Sequence, residues 1–503
     1  MMYGEEKSDS LIVAAKLANN PQGAESVERR RGAKGNAEQP HMRRTQSRES
    51  MSQRLSRVRE AAKQRKKERF TALFHLLTAE ALENAFLSLS RKAAAGVDGV
   101  RWKDYAENLK VNIADLHRRL HQGSYRAQPG RRHYIPKADG KQRPLGIASL
   151  EDKIVQYALV KILNAVYEND FMGFSYGFRP GRSQHNALDA LATGLVRTNV
   201  NWVLDADISQ FFDKVSHEWL IRFIEHRIGD QRVIRLIRKW LTAGTSEEGE
   251  WRASEEGEWR ASEEGTPQGA VISPLLANIY LHYVFDLWAH QWRRRHATGN
   301  VVMVRYADDI VIGFDKRIDA QCFRIAMQRR LKEFGLTVHP KKTRLMEFGR
   351  FAAENRASRG KGKPETFNFL GFTHISGKDR SGRFMLIRKT RRDRMTATLK
   401  AIKDGLRKRW HYSIPEQGKW LRRVVQGYLN YHSVPGNYPM MRKFRIYVTD
   451  LWRRALRRRS QQDDTTWTKA NRLAAVWLPK VRVLHPWPVE RFTARHPRQE
   501  PGA

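Results

Sequence analysis

Hydrophobic and polar positions along the chain switch between a helical and a strand period. The helical period runs through Leu73, Leu76, Leu77, Leu82, Phe86 and Leu87, and again through Leu109, Ile113, Leu116 and Leu120, with a break at Gly96-Val97-Asp98-Gly99. Glu151 to Tyr167 reads as an amphipathic helix, and Trp219–Arg227, Val233–Leu241, Leu275–Leu287 and Asp319–Phe334 follow as helical segments. Strand patterns lie between them. Tyr134 to Ile147 runs into a turn at Asp139-Gly140 and out again, a hairpin with Lys137 and Arg143 on its arms. Trp202 to Asp213 sets acids inside an apolar strand, and the period of two puts Asp205 and Asp207 on one face. Val301 to Phe314 is two β-branched runs around a short polar centre, a buried hairpin with Tyr306 to Asp309 at its turn. Leu336 to Thr343 reads as a strand and turn carrying paired lysines, and Phe367 to Phe372 as one more apolar hairpin arm.

Composition changes the picture at the ends and on the surface. Residues 1 to 50 are polar, lack apolar periodicity and predict disorder. Met51 to about Arg69 is a basic helix with Leu55, Val58 and Ala62 on one side, either solvated or laid against phosphates. The 503-residue chain carries 93 Lys and Arg against 53 Asp and Glu, a formal charge of +40. Such a field selects a polyanion, with nucleic acid ahead of an anionic membrane surface. No apolar run is long enough to span a bilayer, and Cys322, the one cysteine, excludes a disulfide framework and any cysteine-rich zinc site. A cytoplasmic protein is expected. Ser246 to Ala253 is repeated as Ser254 to Ala261, and Ser262-Glu263-Glu264-Gly265 begins a third copy. This acidic tandem is far too short a period for a solenoid and reads as a lengthened surface hairpin.

Two adjacent carboxylates, Asp308 and Asp309, at the tip of core strands are costly without a positive partner. Taken alone they fit a Mg²⁺ site and a solvated Asp-Asp turn equally well. Asp207, at the end of another core strand, is a second candidate ligand. Lys137 and Arg143 suit a triphosphate, although taken alone two solvated cations are the more common case. The Gln268-Gly269 turn before a helix lets backbone approach a ligand. Together these make the constellation of nucleotidyl transfer, in which two metal ions activate a primer 3′-hydroxyl and neutralise the leaving pyrophosphate. Arg179 and Arg182 sit in a Gly/Pro loop, available for backbone phosphates. From Arg388 to Ser460, 21 Lys and Arg stand against four acids, interleaved with aromatic residues. Within that run Arg422, Arg423, Tyr428, Tyr431, Arg453 and Arg457 are candidate nucleic-acid contacts.

In order, Tyr134–Ile147, Phe174–Leu188, Leu204–His217, Gly265–Leu281, Tyr306–Asp309, Leu336–Thr343, Phe369–His374 and Gly427–Asn437 resemble the polymerase and maturase blocks of a group II intron-encoded protein. The match runs from about Ser52 to the carboxyl end. The resemblance implies an α+β right-hand fold: fingers and palm with an antiparallel palm sheet, a helical thumb (the maturase or X region), and a small basic DNA-binding-like tail. The expected divisions are 1–50, 51–385, 386–460 and 461–503. Carried over by position, Asp207, Asp308 and Asp309 would be the catalytic acids, with the Ile208 carbonyl assisting as a metal ligand. The implied cofactor is two Mg²⁺ ions, replaceable by Mn²⁺. Phe212 would gate the sugar, Lys137 and Arg143 would hold the dNTP triphosphate, Gln268 and Gly269 would shape its pocket, and Lys342 would lie near the leaving phosphates. Asp205 is assigned to the fold and Asp213 to a local hydrogen bond. The implied partners are intron RNA, target DNA and dNTPs, in a bacterial-type ribonucleoprotein. Two departures stand out: Ala270 replaces a frequent second glycine, and no Cys pairs of an HNH endonuclease are present, so second-strand cleavage is not expected. The rival readings are a reverse transcriptase without an intron and a splicing cofactor without polymerase activity.

Overall fold

The computed structural model describes residues 50–136, 142–246, 264–266, 268–459 and 465–495. The amino-terminal extension, Lys137 and most of the acidic tandem lie outside the described residues. The chain forms two compact units, one from residues 1–171 and 212–288, the other from 172–211 and 289–503. Among the described residues the strands are, in chain order, β1 (Gly130–Pro136), β2 (Gln142–Ile147), β3 (Trp202–Asp207), β4 (Thr245–Ser246), β5 (Val301–Tyr306), β6 (Asp309–Phe314), β7 (Arg344–Glu347), β8 (Phe367–Phe369), β9 (Phe372–Lys378) and β10 (Phe384–Thr390).

The first unit is mostly helical. Its central helix, Leu150–Tyr167, is capped by the Ser149 hydroxyl, which accepts from the Asp152 N–H, and is buried along most of its length, with Lys161 on its exposed edge. The basic helix Met51–Gln64 packs on it through a narrow apolar edge that includes Ala62. Arg227, 4% exposed, anchors the end of that helix: its Nε lies 2.7 Å from Asp170, and Nη1 donates to the Arg65 carbonyl at 2.9 Å. The cations Arg57, Lys63, Lys66 and Lys67 remain on the surface. The small sheet of this unit has the order β2-β1-β4, with β1 and β2 antiparallel and β4 parallel to β1.

The second unit is built on an antiparallel sheet of order β5-β6-β3-β7. Its strands β5 and β6 carry long apolar runs because the sheet has cover on both faces. Helix Gln184–Arg197 lies against β5, and helix Arg317–Glu333 against β3 and β6. Gly194 permits the first contact, since a Cβ there would sit 2.4 Å from Val302 Cγ1. A second antiparallel sheet, β10-β9-β8, shares the same core through Phe367, Phe369, Phe372 and Leu386. Residues 385 and 386 fall inside β10.

Helices Arg392–Arg407, Ile414–His432, Tyr438–Arg457 and Trp467–Trp477 follow and enclose a core of Ile402, Leu406, Leu421, Val425, Leu429, Phe444, Val448 and Trp452. The last helix, Pro488–Arg495, lies on helix Gln184–Arg197, where Arg491 pairs with the buried Asp189. Two segments depart from expectation, and within the expected basic tail, 461–503, residues 465–495 are described. Leu336–Thr343 forms no strand, only an isolated bridge from Val338 to Ile208 followed by a turn. The helix from Ser273 continues past Leu287 to Arg295, with a π turn at His282–Asp286. Residues 465–495, read as a basic tail, contain two helices that pack within the second unit. Among the described residues no helix is long and apolar enough to cross a membrane.

Candidate active site

Register places the carboxylates. Asp207, last residue of β3, stands opposite Asp309, first residue of β6, and Asp309 stands opposite Tyr306 across the β5–β6 turn. Ala307 and Asp308 form the turn, and Ala307 has φ 57°. Positive φ confined to the first central residue is the type II′ pattern, whose twist suits a tight hairpin. Asp308 is therefore held at a two-residue tip beside the Asp207–Asp309 pair.

The same end of β3 is fixed by the stretch that precedes β7. The Ser209 N–H donates to the Thr337 carbonyl at 2.8 Å, and the His339 N–H to the Asp207 carbonyl at 2.7 Å. These two bonds do not use the Ile208 carbonyl. The turn after His339 brings Lys342 Nζ to 2.7 Å from Asp207 Oδ2, with the lysine side chain 61% and the aspartate 18% exposed.

Like charges crowd this tip. Asp309 keeps one side open to water, yet its carboxyl is pushed up to about 6, by desolvation first and then by Asp308 and Asp207, with Lys342 and Arg391 opposing. Asp205, one step back on the same face of β3, is pushed up to about 7 by burial, with Arg344 opposing and Asp309 and Asp207 reinforcing. A cation would relieve that repulsion, so the donor chemistry fits a divalent metal. The cage is incomplete: among the described residues no three His, Cys, Asp or Glu side chains are arranged to hold an ion alone. An open set of this kind suits Mg²⁺, which keeps waters and takes substrate phosphates as ligands.

Behind the turn lies a residue that the strand pattern concealed. Arg305 is fully buried in β5; its Nη1 donates to the Ala307 carbonyl at 3.1 Å and its Nη2 to Ser175 Oγ at 2.7 Å. The Arg305 N–H donates to the Phe174 carbonyl at 2.9 Å, and the Tyr176 N–H to the Arg305 carbonyl at 2.8 Å. An arginine within an apolar run was the available signal, because a buried cation must find partners.

The same loop corrects the reading of Arg179 and Arg182 as phosphate ligands. Arg179 is 5% exposed, and its Nη1 donates to the Met172 and Ser175 carbonyls, both at 2.8 Å. Arg182 Nη1 donates to the Ser175 carbonyl at 3.1 Å and to that of Gly173. Both fold the loop instead of presenting a charge to a ligand.

The pocket residues belong to the first unit, described by itself. The Thr266 N–H donates to the Phe212 carbonyl at 2.7 Å, and Gln268 Nε2 to Asp213 Oδ1 at 3.1 Å. The Gly146 N–H donates to the Gln268 carbonyl at 2.6 Å. Gly269 has φ 110°, and a Cβ there would press on the Gly146 carbonyl at 3.0 Å, so only glycine fits this approach to β2. Phe212, Gln268 and Gly269 are thus tied together, with exposed Arg143 farther along β2.

The aromatic-basic candidates divide. Tyr428 is 7% exposed with its ring 3.6 Å from that of Phe444, and Tyr431 donates its hydroxyl to the Leu370 carbonyl at 2.8 Å. Arg453 pairs with Asp450 at 3.0 Å and lies over Trp467. These three make contacts that hold the fold together. Arg422 is exposed but donates to the Val476 and Trp477 carbonyls, whereas Arg423 and Arg457 point to solvent.

Residues 135–374 match the family described as reverse transcriptase (RNA-dependent DNA polymerase). Protein YkfC of Escherichia coli (strain K12) is 41% identical over 214 residues, 42% of this chain and 54% of that protein. The uncharacterized 91 kDa protein in cob intron of Schizosaccharomyces pombe is 41% identical over 180 residues, 36% of this chain and 21% of that one. Group II intron-encoded protein LtrA of Lactococcus lactis subsp. cremoris is 36% identical over 231 residues, 45% and 37% of the two chains. The matched segments span about half or less of these relatives. Paired carboxylates at the tip of an antiparallel sheet, within the stretch that matches, define a reverse transcriptase domain. Among reverse transcriptases, the matched stretch is similar to a group II intron-encoded protein.

Proposed function

We propose that the chain is an RNA-directed DNA polymerase that binds its own group II intron RNA, assists its splicing and copies it into a DNA target. The observation that carries the reading is Asp207 facing Asp309 in register, with Asp308 at the adjoining turn and Lys342 on Asp207. The β5-β6-β3-β7 sheet would be the palm, the β1–β2 hairpin part of the fingers, and the helices from Arg392 the thumb.

In this reading Asp207 and Asp308, assisted by the Ile208 carbonyl, would hold two Mg²⁺ ions, with Asp309 in support. Mg²⁺, when bound, supplies the charge that activates the primer hydroxyl and stabilises the leaving pyrophosphate. The protein supplies position. Arg305 fixes the turn, and β3 and β6 fix the spacing of Asp207 from Asp309. Lys342, largely exposed, pairs with Asp207 and extends a cation toward the phosphates. Phe212 would lie under the sugar and exclude a 2′-hydroxyl, while Gln268 and Gly269 shape the base side and Arg143 and Lys137 meet the triphosphate.

Primer extension on an RNA template by the purified full chain tests the reading, together with splicing of the flanking intron RNA. Asp308→Ala is expected to abolish extension and leave RNA affinity within about twofold, since one carboxylate at a turn contributes little to phosphate binding. Extension that survives this change removes the metal assignment.

A further inference from the structure

Among the described residues, four other than glycine have positive φ: Phe178, Gln210, Ala307 and Leu370. Ala307 and Leu370 are central turn residues of hairpins, where the turn demands it. Phe178 is the second residue of a tight turn with Gly177, outside any hairpin, at a place usually given to glycine. At φ 57° it holds a bulky residue in a conformation that glycine adopts without strain.

Core packing does not explain the ring, because Phe178 is 51% exposed. The ring of Tyr306 lies 6.4 Å away, tilted by 45°. Tyr306 is the first residue of the turn that carries Asp308 and Asp309. The loop around Phe178 is not slack. Gly177 packs so closely on the turn that a Cβ there would sit 2.4 Å from the Ala307 nitrogen, and Arg179 and Arg182 bind the carbonyls of residues 172, 173 and 175. A strained backbone, an exposed ring and a loop pinned to the carboxylate-bearing turn therefore coincide at one position. Strain that surrounding bonds hold in place points to a ring with work outside the fold.

We propose that Phe178, together with Tyr306, is a stacking platform for an unpaired nucleobase of the template strand beside the carboxylate turn. The proposal rests on the polymerase reading above. Ring-on-base stacking tolerates any sequence and releases no counterions, which distinguishes it from the lysine and arginine contacts of a charged groove. A ring fixed before binding loses little freedom when the base arrives.

The test is a fluorescence-anisotropy titration of a labelled RNA-template/DNA-primer duplex, its template overhanging the primer end, with full-length protein at several salt concentrations, alongside thermal unfolding. Phe178→Gly should melt at a higher temperature than the wild type, because the strain is relieved, and yet bind the duplex ~5- to 100-fold more weakly. The slope of log Kd against log salt should not change. Phe178→Tyr, which keeps the ring and the strain, should stay within about twofold of wild type in affinity. Wild-type affinity in Phe178→Gly overturns the proposal, as does a loss that Phe178→Tyr shares in full or one that comes with a shallower salt slope. A wild-type chain that neither binds nor extends the duplex overturns the polymerase reading and takes the platform with it.

Discussion

Arg305 is the residue on which the candidate site depends most and which its surroundings disguise best. A guanidinium at full burial is tolerable only when its donors are used, and here they join the Ala307 carbonyl to the Ser175 hydroxyl. Lysine has the charge but not the fork. Arg305→Lys should therefore lower the extension rate by about 10- to 100-fold while changing the KM for dNTP less than about threefold, because the turn shifts and the pocket of the first unit does not. Steady-state kinetics with a circular-dichroism melt separate this outcome from simple unfolding. Phe212 makes a different case. Its carbonyl is fixed by the Thr266 N–H, so the ring can be removed without freeing the backbone. Phe212→Ala should raise incorporation of ribonucleotides relative to deoxyribonucleotides, read on gels from parallel extensions, and an unchanged ratio would remove the gate role. Asp207, Asp308 and Asp309 were legible in the sequence because an acid at the end of an apolar strand is costly unless a cation offsets its charge. Arg305 left one signal, a cation inside an apolar run, whereas Phe178 left none, since φ has no letter of its own.

Elements were legible where period and turn chemistry agree. The β8–β9 hairpin turns at Leu370-Gly371, both with positive φ, and Gly371 marks it in the sequence. Leu336–Thr343 misled because its apolar residues serve a single bridge and the end of a helix; the strand itself begins at Arg344, where the sequence looks polar. Tyr428 shows a related limit: an aromatic ring at helical spacing serves a core as readily as a nucleobase, and its burial has no mark in the sequence. Strand β9 also carries a titration. His374 is fully buried, its ring 4.7 Å from that of Phe367 and nearly parallel to it, and burial, reinforced by Arg388, pushes it down to about 3. The unfolded chain binds this proton near pH 6.5 and the folded one does not. Its contribution to stability is thus complete above about pH 6.5 and falls as pH drops toward 3, by up to ~1.4 kcal/mol per pH unit. His374→Phe keeps the stack and removes the proton site. Its urea-unfolding free energy should fall between pH 7.5 and pH 5 by about 2 kcal/mol less than that of the wild type. His185, pushed down to about 3, and His432, to about 4, preserve part of the acid sensitivity in both proteins.

At the scale of the whole molecule, the charge of +40 was plain from the sequence, but the side chains that deliver it were not. Many arginines here donate to carbonyls of their own chain or to a neighbouring carboxylate, as Arg179, Arg227, Arg422 and Arg453 do. A guanidinium engaged in this way still contributes to the field that draws a polyanion near, but it cannot also hold a phosphate in a fixed place. The number of cations in the Arg388–Ser460 run therefore overstates how many phosphates it can hold. Arg423 and Arg457, whose side chains face solvent, are the ones to test. Binding of the flanking intron RNA should weaken steeply with salt, and a flat response would sink the phosphate-groove reading outright. Removing one phosphate-binding cation should reduce the slope of log K against log salt by about 0.7 to 0.9. Arg423→Ala with Arg457→Ala should accordingly flatten that slope by up to about 1.8, with affinity falling most at low salt. Arg453→Ala should instead leave the slope within error and lower the melting temperature, because its partners are Asp450 and Trp467 and not a phosphate. The two variants measured over the same salt series separate a cation that binds RNA from one that braces a helix.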